Sequence, residues 1–512
     1  MPEQKTSPLP ALSGSPDRLY RFNGGLRLEE NRAVSMQQPI RPAGIPPQLI
    51  VPLQQHIGEP ADCHVSIGDR VLRGDVIATP VGHVSAPVHA ATSGTVSAIE
   101  PRPVPHPSGL PATCIVIDTD GEDTAGPAMD RIDYRLATPG ELCEFIRRAG
   151  IVGLGGAGFP TQVKLENRDA IELLLINGAE CEPWLSCDQQ MLGERAGEVI
   201  DGIRILQHIL QPQQCVLAIE DNMAGAAAAL RAALAGDESG IRLVEVPAIY
   251  PTGGERQLIK VLTNREVPSQ GLPADIGIIC HNVGTVAAVS HAVNDGRPLL
   301  SRIVTVTGDG VKNPCNLDVL IGTPVSHLIE VAGGYTPSVE RLLIGGPMMG
   351  YAVSSDAIPI IKTSNCVLAV SAVTMPAPPP AQPCIRCGKC TEACPAELLP
   401  QQLYWYARSG DHDAAQDFGL FDCIECGACA YVCPSHIPLV QYYRHAKTAI
   451  WDQEIQKKAS DFARRRHEAR LARLERIKQE RAERMAKKKQ AVAGRDSGDD
   501  QRKAAIQAAL ER

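Results

Sequence analysis

No stretch of the chain reaches the roughly 18 uninterrupted apolar residues that a membrane-spanning helix needs. The first residues, MPEQKTSPLPALSGSPDRLY, contain no apolar core of the kind a secretory signal requires, so a cytoplasmic compartment is expected. A basic excess is missing too. The formal net charge is −8 over 512 residues, which argues against nucleic acid as the main partner. In a reducing compartment the 17 Cys read as metal ligands or packed thiols before disulfides.

What is present is a globular composition. Apolar residues make up 44%, enough for cores of normal size, and 512 residues allow about three or four domains. Charge is unevenly spread. From Trp451 onward there are 18 Lys+Arg against 11 Asp+Glu, leaving 32 against 47 for the rest, so an acidic body carries a basic tail.

The pattern along the chain predicts a multidomain α/β protein. Residues 1–40 read as an extended lead-in. Over 41–125, short apolar runs broken by Gly, Pro and His indicate a small all-β domain. Its phrases VSIGDRVLRGDVIA and SGTVSAIE resemble the two halves of a biotinyl/lipoyl-type barrel-sandwich. Such domains carry a prosthetic group on a hairpin Lys. No Lys occurs between Lys5 and Lys164, so a structural role is expected. Over 135–300, helical and strand patterns alternate, which implies a mainly parallel sheet. Residues 301–372 read as a β-grasp-like module with one short helix, 373–383 as a stiff Pro-rich linker and 384–448 as a Cys-dense domain. A charged helical tail is expected over 449–512, broken at Gly near its end.

The strongest signal is an internal repeat with an offset of 39: Cys384-x2-Cys387-x2-Cys390-x3-Cys394-Pro395 returns as Cys423-x2-Cys426-x2-Cys429-x3-Cys433-Pro434. This is the spacing of two-cluster bacterial ferredoxins, in which the fourth Cys serves the other cluster. Two 4Fe–4S clusters are predicted, one on Cys384, Cys387, Cys390 and Cys433, the other on Cys394, Cys423, Cys426 and Cys429. The competing reading is a pair of structural zinc sites, which prefer two spaced Cys pairs. The other nine Cys lack ligand spacing and read as buried thiols.

Gly153-Leu-Gly155-Gly156-Ala-Gly158 matches G-x-G-x-x-G, but it follows a helix and precedes a strand, the wrong context for a Rossmann fingerprint. Such dense Gly still lets backbone amides approach a flat ring or a phosphate. Extended to Phe159-Pro-Thr161 and Lys164, and followed by Asn177-Gly-Ala-Glu180-Cys-Glu182-Pro183, the segment resembles the FMN- and NADH-binding subunit of respiratory complex I. His281-Asn282-Val-Gly-Thr285 is similar to that family's third flavin segment. Phe22-Asn-Gly-Gly25, VPLQQHIG at 51–58, GFPTQVKL, AECEP, GGPMMG and the doubled Cys run follow the order seen in the RnfC (RsxC) component of Rnf/Rsx ion-translocating electron-transport complexes, over roughly residues 20–450.

This resemblance implies that 135–300 is an FMN-binding domain and 384–448 a ferredoxin-type domain. It implies that Gly155, Gly156, Gly158 and Lys164 cradle the flavin, and that Asn177, Glu180, Asn282 and Thr285 complete its site. Phe159 would stack with the nicotinamide and Glu182 would contact the NADH ribose. Two positions depart from the complex I pattern: Leu154 stands for Arg and Ala179 for Asp. The implied role is an electron-input subunit, oxidising NADH through FMN and two 4Fe–4S clusters. It would sit peripherally on the cytoplasmic side of the bacterial inner membrane, with integral-membrane and ferredoxin-like partners that couple electron transfer to ion movement. A soluble NADH dehydrogenase and a non-catalytic iron–sulfur adaptor are the competing readings. In the tail, acids and bases three and four apart support a solvated helix, either free or set against anionic headgroups or an acidic partner.

Overall fold

Four parallel strands, in the order Ile241–Val246, Gln214–Glu220, Leu173–Gly178 and Ile278–Asn282, form the sheet of the middle domain. The run LLLING is apolar on both faces because both faces are covered. Leu174 and Ile176 enter the core under the helix Ala196–Leu210, while Leu173 and Leu175 enter a second core under Glu255–Thr263. All four are fully buried, each contributing about 1.5–3 kcal/mol. The strand order reverses between the first strand and the last, and at that switch point Asn177 and Asn282 pair side by side at the carboxyl ends. Open α/β sheets leave a ligand crevice at this place.

This computed structural model describes residues 19–166 and 170–512, apart from the side chains of 493–497. Residues 48–119 build the small β domain from two sheets, one of four strands and one of three. Residues 301–371 supply five strands of a six-stranded mixed sheet with the helix Val325–Val331. The sixth strand is Arg41–Pro42, which pairs parallel with Leu317 and Asp318. The start of the stretch expected in the barrel-sandwich thus belongs to the later module, and the small β domain is an insertion behind it.

Three modules meet on Lys362. Its fully buried Nζ donates to Pro87 O and Gly150 O, both at 2.8 Å, and burial pulls its pKa down to about 7. A neutral amine still has hydrogens for both carbonyls. The described part of the lead-in acts as a clamp. Leu26 and Tyr250 exchange backbone hydrogen bonds, Gly25 N donates to Ala393 O, and the buried Arg32 guanidinium reaches Glu180 O and Glu220. Residues 1–18, expected as part of the lead-in, lie outside the described residues.

The Cys-dense region does not stand apart at the end of a spacer. Its short helices pack on the middle domain through Gln257 to Pro395 O, Ser269 to Asp422 and Arg256 to Asp422. The last helix runs Leu439–Leu510 without the break expected at Gly, and from Arg444 it is a unit of its own. Ion pairs three and four residues apart line it, among them Arg464 with Asp461 and Glu468. No helix among the described residues is long and apolar enough to cross a membrane.

Candidate functional site

The glycine loop is closed at its base, where Gly153 N donates to Phe159 O at 2.8 Å and Val152 bridges Pro160. Thr161–Leu165, directly after it, is a short helix rather than the expected passage into a strand. The loop is held from outside by three elements. Thr285 Oγ1 accepts from Leu154 N at 2.9 Å, Arg302 donates to Leu154 O at 3.3 Å, and Ile57 N donates to Gly158 O at 3.1 Å. Gly156 has φ +106° and a Cβ there would meet no protein atom within 4 Å, so its bare face looks into open space. Gly158 differs: φ is +62° and a Cβ would stand 2.7 Å from Thr363 Cγ2.

That open space is a cleft of about 660 Å³. It gathers Gly155, Gly156, Phe159, Lys164, Asn177, Glu180, Glu182, Asn282 and Thr285 of the expected set. Gly158 is buried behind it, positioning the loop. Lys164 Nζ donates to Glu255 at 2.9 Å and to Cys280 O at 3.0 Å. Burial is the largest influence and works against its charge, but Glu255 and Cys280 together leave its pKa raised. Asn177 joins Gly253 O to Ala179 N. Asn282 caps the helix Val283–Asp295 and donates to Asp188 at 2.6 Å. The Glu180 carboxylate accepts from the N–H groups of Asp188 and Gln189, so it caps the helix Cys187–Glu194 from outside. Burial and the nearby Asp188 push its pKa up to about 7.

Among the described residues, four buried polar atoms of cleft-lining side chains make no hydrogen bond: Thr161 Oγ1, Glu182 Oε2, Gln257 Oε1 and His281 Nε2. Burial lifts the Glu182 carboxyl to about 7, against the pull of the Met349 and Met348 N–H groups, and holds the His281 imidazole neutral. A bare glycine face, a paired Lys and unsatisfied polar atoms in a crevice of this volume fit a flat cofactor with a polar tail. Sequence reasoning did not assign the wall formed by Gly345, Gly346, Met349 and Tyr351 to this site, nor Ile424. Its one signal was the glycine pair in Gly345-Gly-Pro-Met-Met-Gly350.

The eight repeat cysteines face two cavities. Cys394, Cys423, Cys426 and Cys429 line one, and Cys384, Cys387, Cys390 and Cys433 line the other. Each cavity takes three thiols from one copy of the motif and the fourth from the other. Burial pushes Cys426 up to about 12, and Cys429 is raised by burial and by its neighbours Cys423, Cys426 and Cys394. Thiols so placed ionise only around a cation, which fits a metal centre of four thiolates. Of the other nine Cys, seven are buried, and Cys63 and Cys181 are half-buried.

Comparison with known proteins follows the same partition. Residues 20–122 match the RnfC barrel sandwich hybrid domain, 146–291 the Nuo51 FMN-binding domain, 303–352 the SLBB domain and 383–437 a 4Fe-4S dicluster domain. The C component of the ion-translocating oxidoreductase complex of Pseudomonas aeruginosa is 51% identical over 91% of this chain and 60% of its own length. Its counterpart in Serratia proteamaculans is 47% identical over 97% of this chain and 70% of its own. The chain thus spans about three fifths to seven tenths of these relatives' length. A NAD+-reducing NiFe-hydrogenase in the H2-reduced state aligns at TM-score 0.44 and 16% identity, over 61% of this chain and 63% of that one. The chain belongs to the RnfC family, the C components of ion-translocating oxidoreductase complexes.

Proposed function

We propose that this chain is the electron-input subunit of a membrane-bound complex, taking electrons from NADH at the cleft and delivering them through two 4Fe–4S centres to partner subunits that move ions. The observation that carries the reading is a shared wall. Ile424, between Cys423 and Cys426, lines the same cleft as Gly155, Gly156 and Lys164. FMN bound there would accept a hydride and give up electrons singly, and the clusters would carry them onward.

The chain's own residues bind and orient. The loop 153–159 offers its backbone to the flavin, with Lys164 as a cationic donor at the rim. Asn177, Glu180, Asn282 and Thr285 hold the strand and helix ends around it, and Phe159 offers a face to the nicotinamide. Glu182, on the cleft wall, would contact a ribose hydroxyl. The set of Cys394, Cys423, Cys426 and Cys429 would receive electrons first. The set of Cys384, Cys387, Cys390 and Cys433, with Cys387 exposed, would face the acceptor. Partners would include integral-membrane and ferredoxin-like subunits, and the chain would attach peripherally to the cytoplasmic face of the inner membrane.

Gly156→Val tests the cleft. A branched side chain at φ +106° strains the loop and projects into the space reserved for the ring. FMN content and NADH-dependent dye reduction should both be lost while iron content stays. Normal FMN in the variant would remove the loop from the flavin site.

A further inference from the structure

The SLBB-matched module reaches the cleft through the turn Gly345-Gly-Pro-Met-Met-Gly350, and the manner of its attachment is unusual. Glu182 Oε1 accepts from two successive backbone N–H groups, Met348 at 2.7 Å and Met349 at 3.0 Å. The turn leaves room for the carboxylate only because residue 346 is glycine, where a Cβ would lie 2.2 Å from Glu182 Cγ. Gly350 N donates to Gly346 O at 2.9 Å and closes the turn.

The other side of the same turn meets the cysteine arm. Met348 O stands 2.8 Å from where a Cβ on Gly427 would be, and Met348 packs in the cluster of Tyr250, Cys426, Ala428 and Ile424. The Tyr250 hydroxyl donates to Cys426 O. A carboxylate on the cleft wall therefore ties down the tip of the element that covers the Cys426 shoulder, whose base is held by strand pairing and by Gly345 N to Cys366 O.

We propose that Glu182 is a positioning residue: through Met348 and Met349 it latches the turn 345–350 as a common wall of the flavin cleft and of the site formed by Cys394, Cys423, Cys426 and Cys429. This rests on the reading of those two sites given above. The latch uses Oε1 alone, and one side chain serves both cleft wall and cover. The proposal separates the acceptor role of Glu182 from its charge, because a glutamine carboxamide oxygen can take the same two N–H donors.

The test is amide hydrogen exchange at Met348 and Met349 in the anaerobically purified whole chain, with no nucleotide added. EPR of the reduced clusters is recorded on the same samples. Glu182→Ala should raise exchange at both amides by about tenfold or more and change the EPR signal of the cluster on Cys426, leaving the other cluster's signal as in wild type. Glu182→Gln should restore both readouts. Gly346→Ala, with the carboxylate intact but displaced, should behave like Glu182→Ala, and it supplies the answer if Glu182→Ala loses iron. Wild-type exchange in Glu182→Ala or Gly346→Ala would overturn the latch, as would equal loss in Glu182→Gln and Glu182→Ala. The exchange readout needs neither flavin nor NADH. Failure of the latch therefore leaves the electron-input reading standing, and failure of FMN binding leaves the latch standing.

Discussion

The two copies of the cysteine motif share a backbone and differ in what covers them. Arg386 and Glu425 both have φ near +57°, Gly388 and Gly427 near +80°, Glu397 and His436 near +52°, so each turn of one copy is repeated in the other. Their surroundings diverge. Ile385 is 67% exposed, whereas its counterpart Ile424 is half-buried and lines the cleft of the glycine loop. A Cβ on Gly388 would meet open space, and one on Gly427 would meet Met348 O. Local spacing sets the ligand geometry. The cover over each copy is set by contacts between residues far apart in the chain, which no local motif encodes.

Matched substitutions in the two copies should break or sharpen this contrast. The largest effect is expected from the fourth cysteines. Cys394→Ser should halve iron from about eight to about four per chain and remove the EPR signal of the cluster on Cys423, Cys426 and Cys429. Cys433→Ser should remove the other. Loss of the sequence-adjacent cluster in either case would refute the crossed ligand sets, and zinc in place of iron would refute both clusters.

A smaller effect is expected at the isoleucines. Ile424→Asp puts a carboxylate into the cleft wall and should weaken FMN retention by roughly tenfold or more. Ile385→Asp should leave flavin content unchanged, because that position is exposed. Equal flavin loss in both would mean that the two copies are not distinguished by the cleft.

The smallest effect is expected at the glycines. Gly388→Ala carries only the strain of φ +81°, about 1 kcal/mol. Gly427→Ala adds a 2.8 Å approach to Met348 O and should cost about 2 to 3 kcal/mol in denaturant unfolding. Equal costs would mean that the turn 345–350 gives way freely.

How much of this was legible depended on distance along the chain. The eight repeat cysteines lie within 50 residues at fixed spacings, so their grouping around two cavities could be read directly. Lys164, Asn177 and Asn282 could be placed because their strands and glycine loop have strong patterns. The helix Cys187–Glu194 escaped notice because its polar sequence has little amphipathic bias and its cap is Glu180, outside the helix. Arg32 looked like part of a loose lead-in, yet its buried guanidinium is held by Glu220 at 2.9 Å, 188 residues away. The turn 345–350 carried no sign of which surface it would meet, since periodicity describes a strand's faces and not its docking partner.

The strand Arg41–Pro42 has a consequence for biosynthesis. Its partner residues Leu317 and Asp318 leave the ribosome some 276 residues later, a delay of roughly 15 to 55 s at ordinary elongation rates. The small β domain between them pairs its strands only with one another, so it can close while the segment before it is still waiting. Until residue 318 emerges, that early strand has an unpaired edge. The interval in which a nascent chain needs shielding is therefore written into the pairing of two residues near its start.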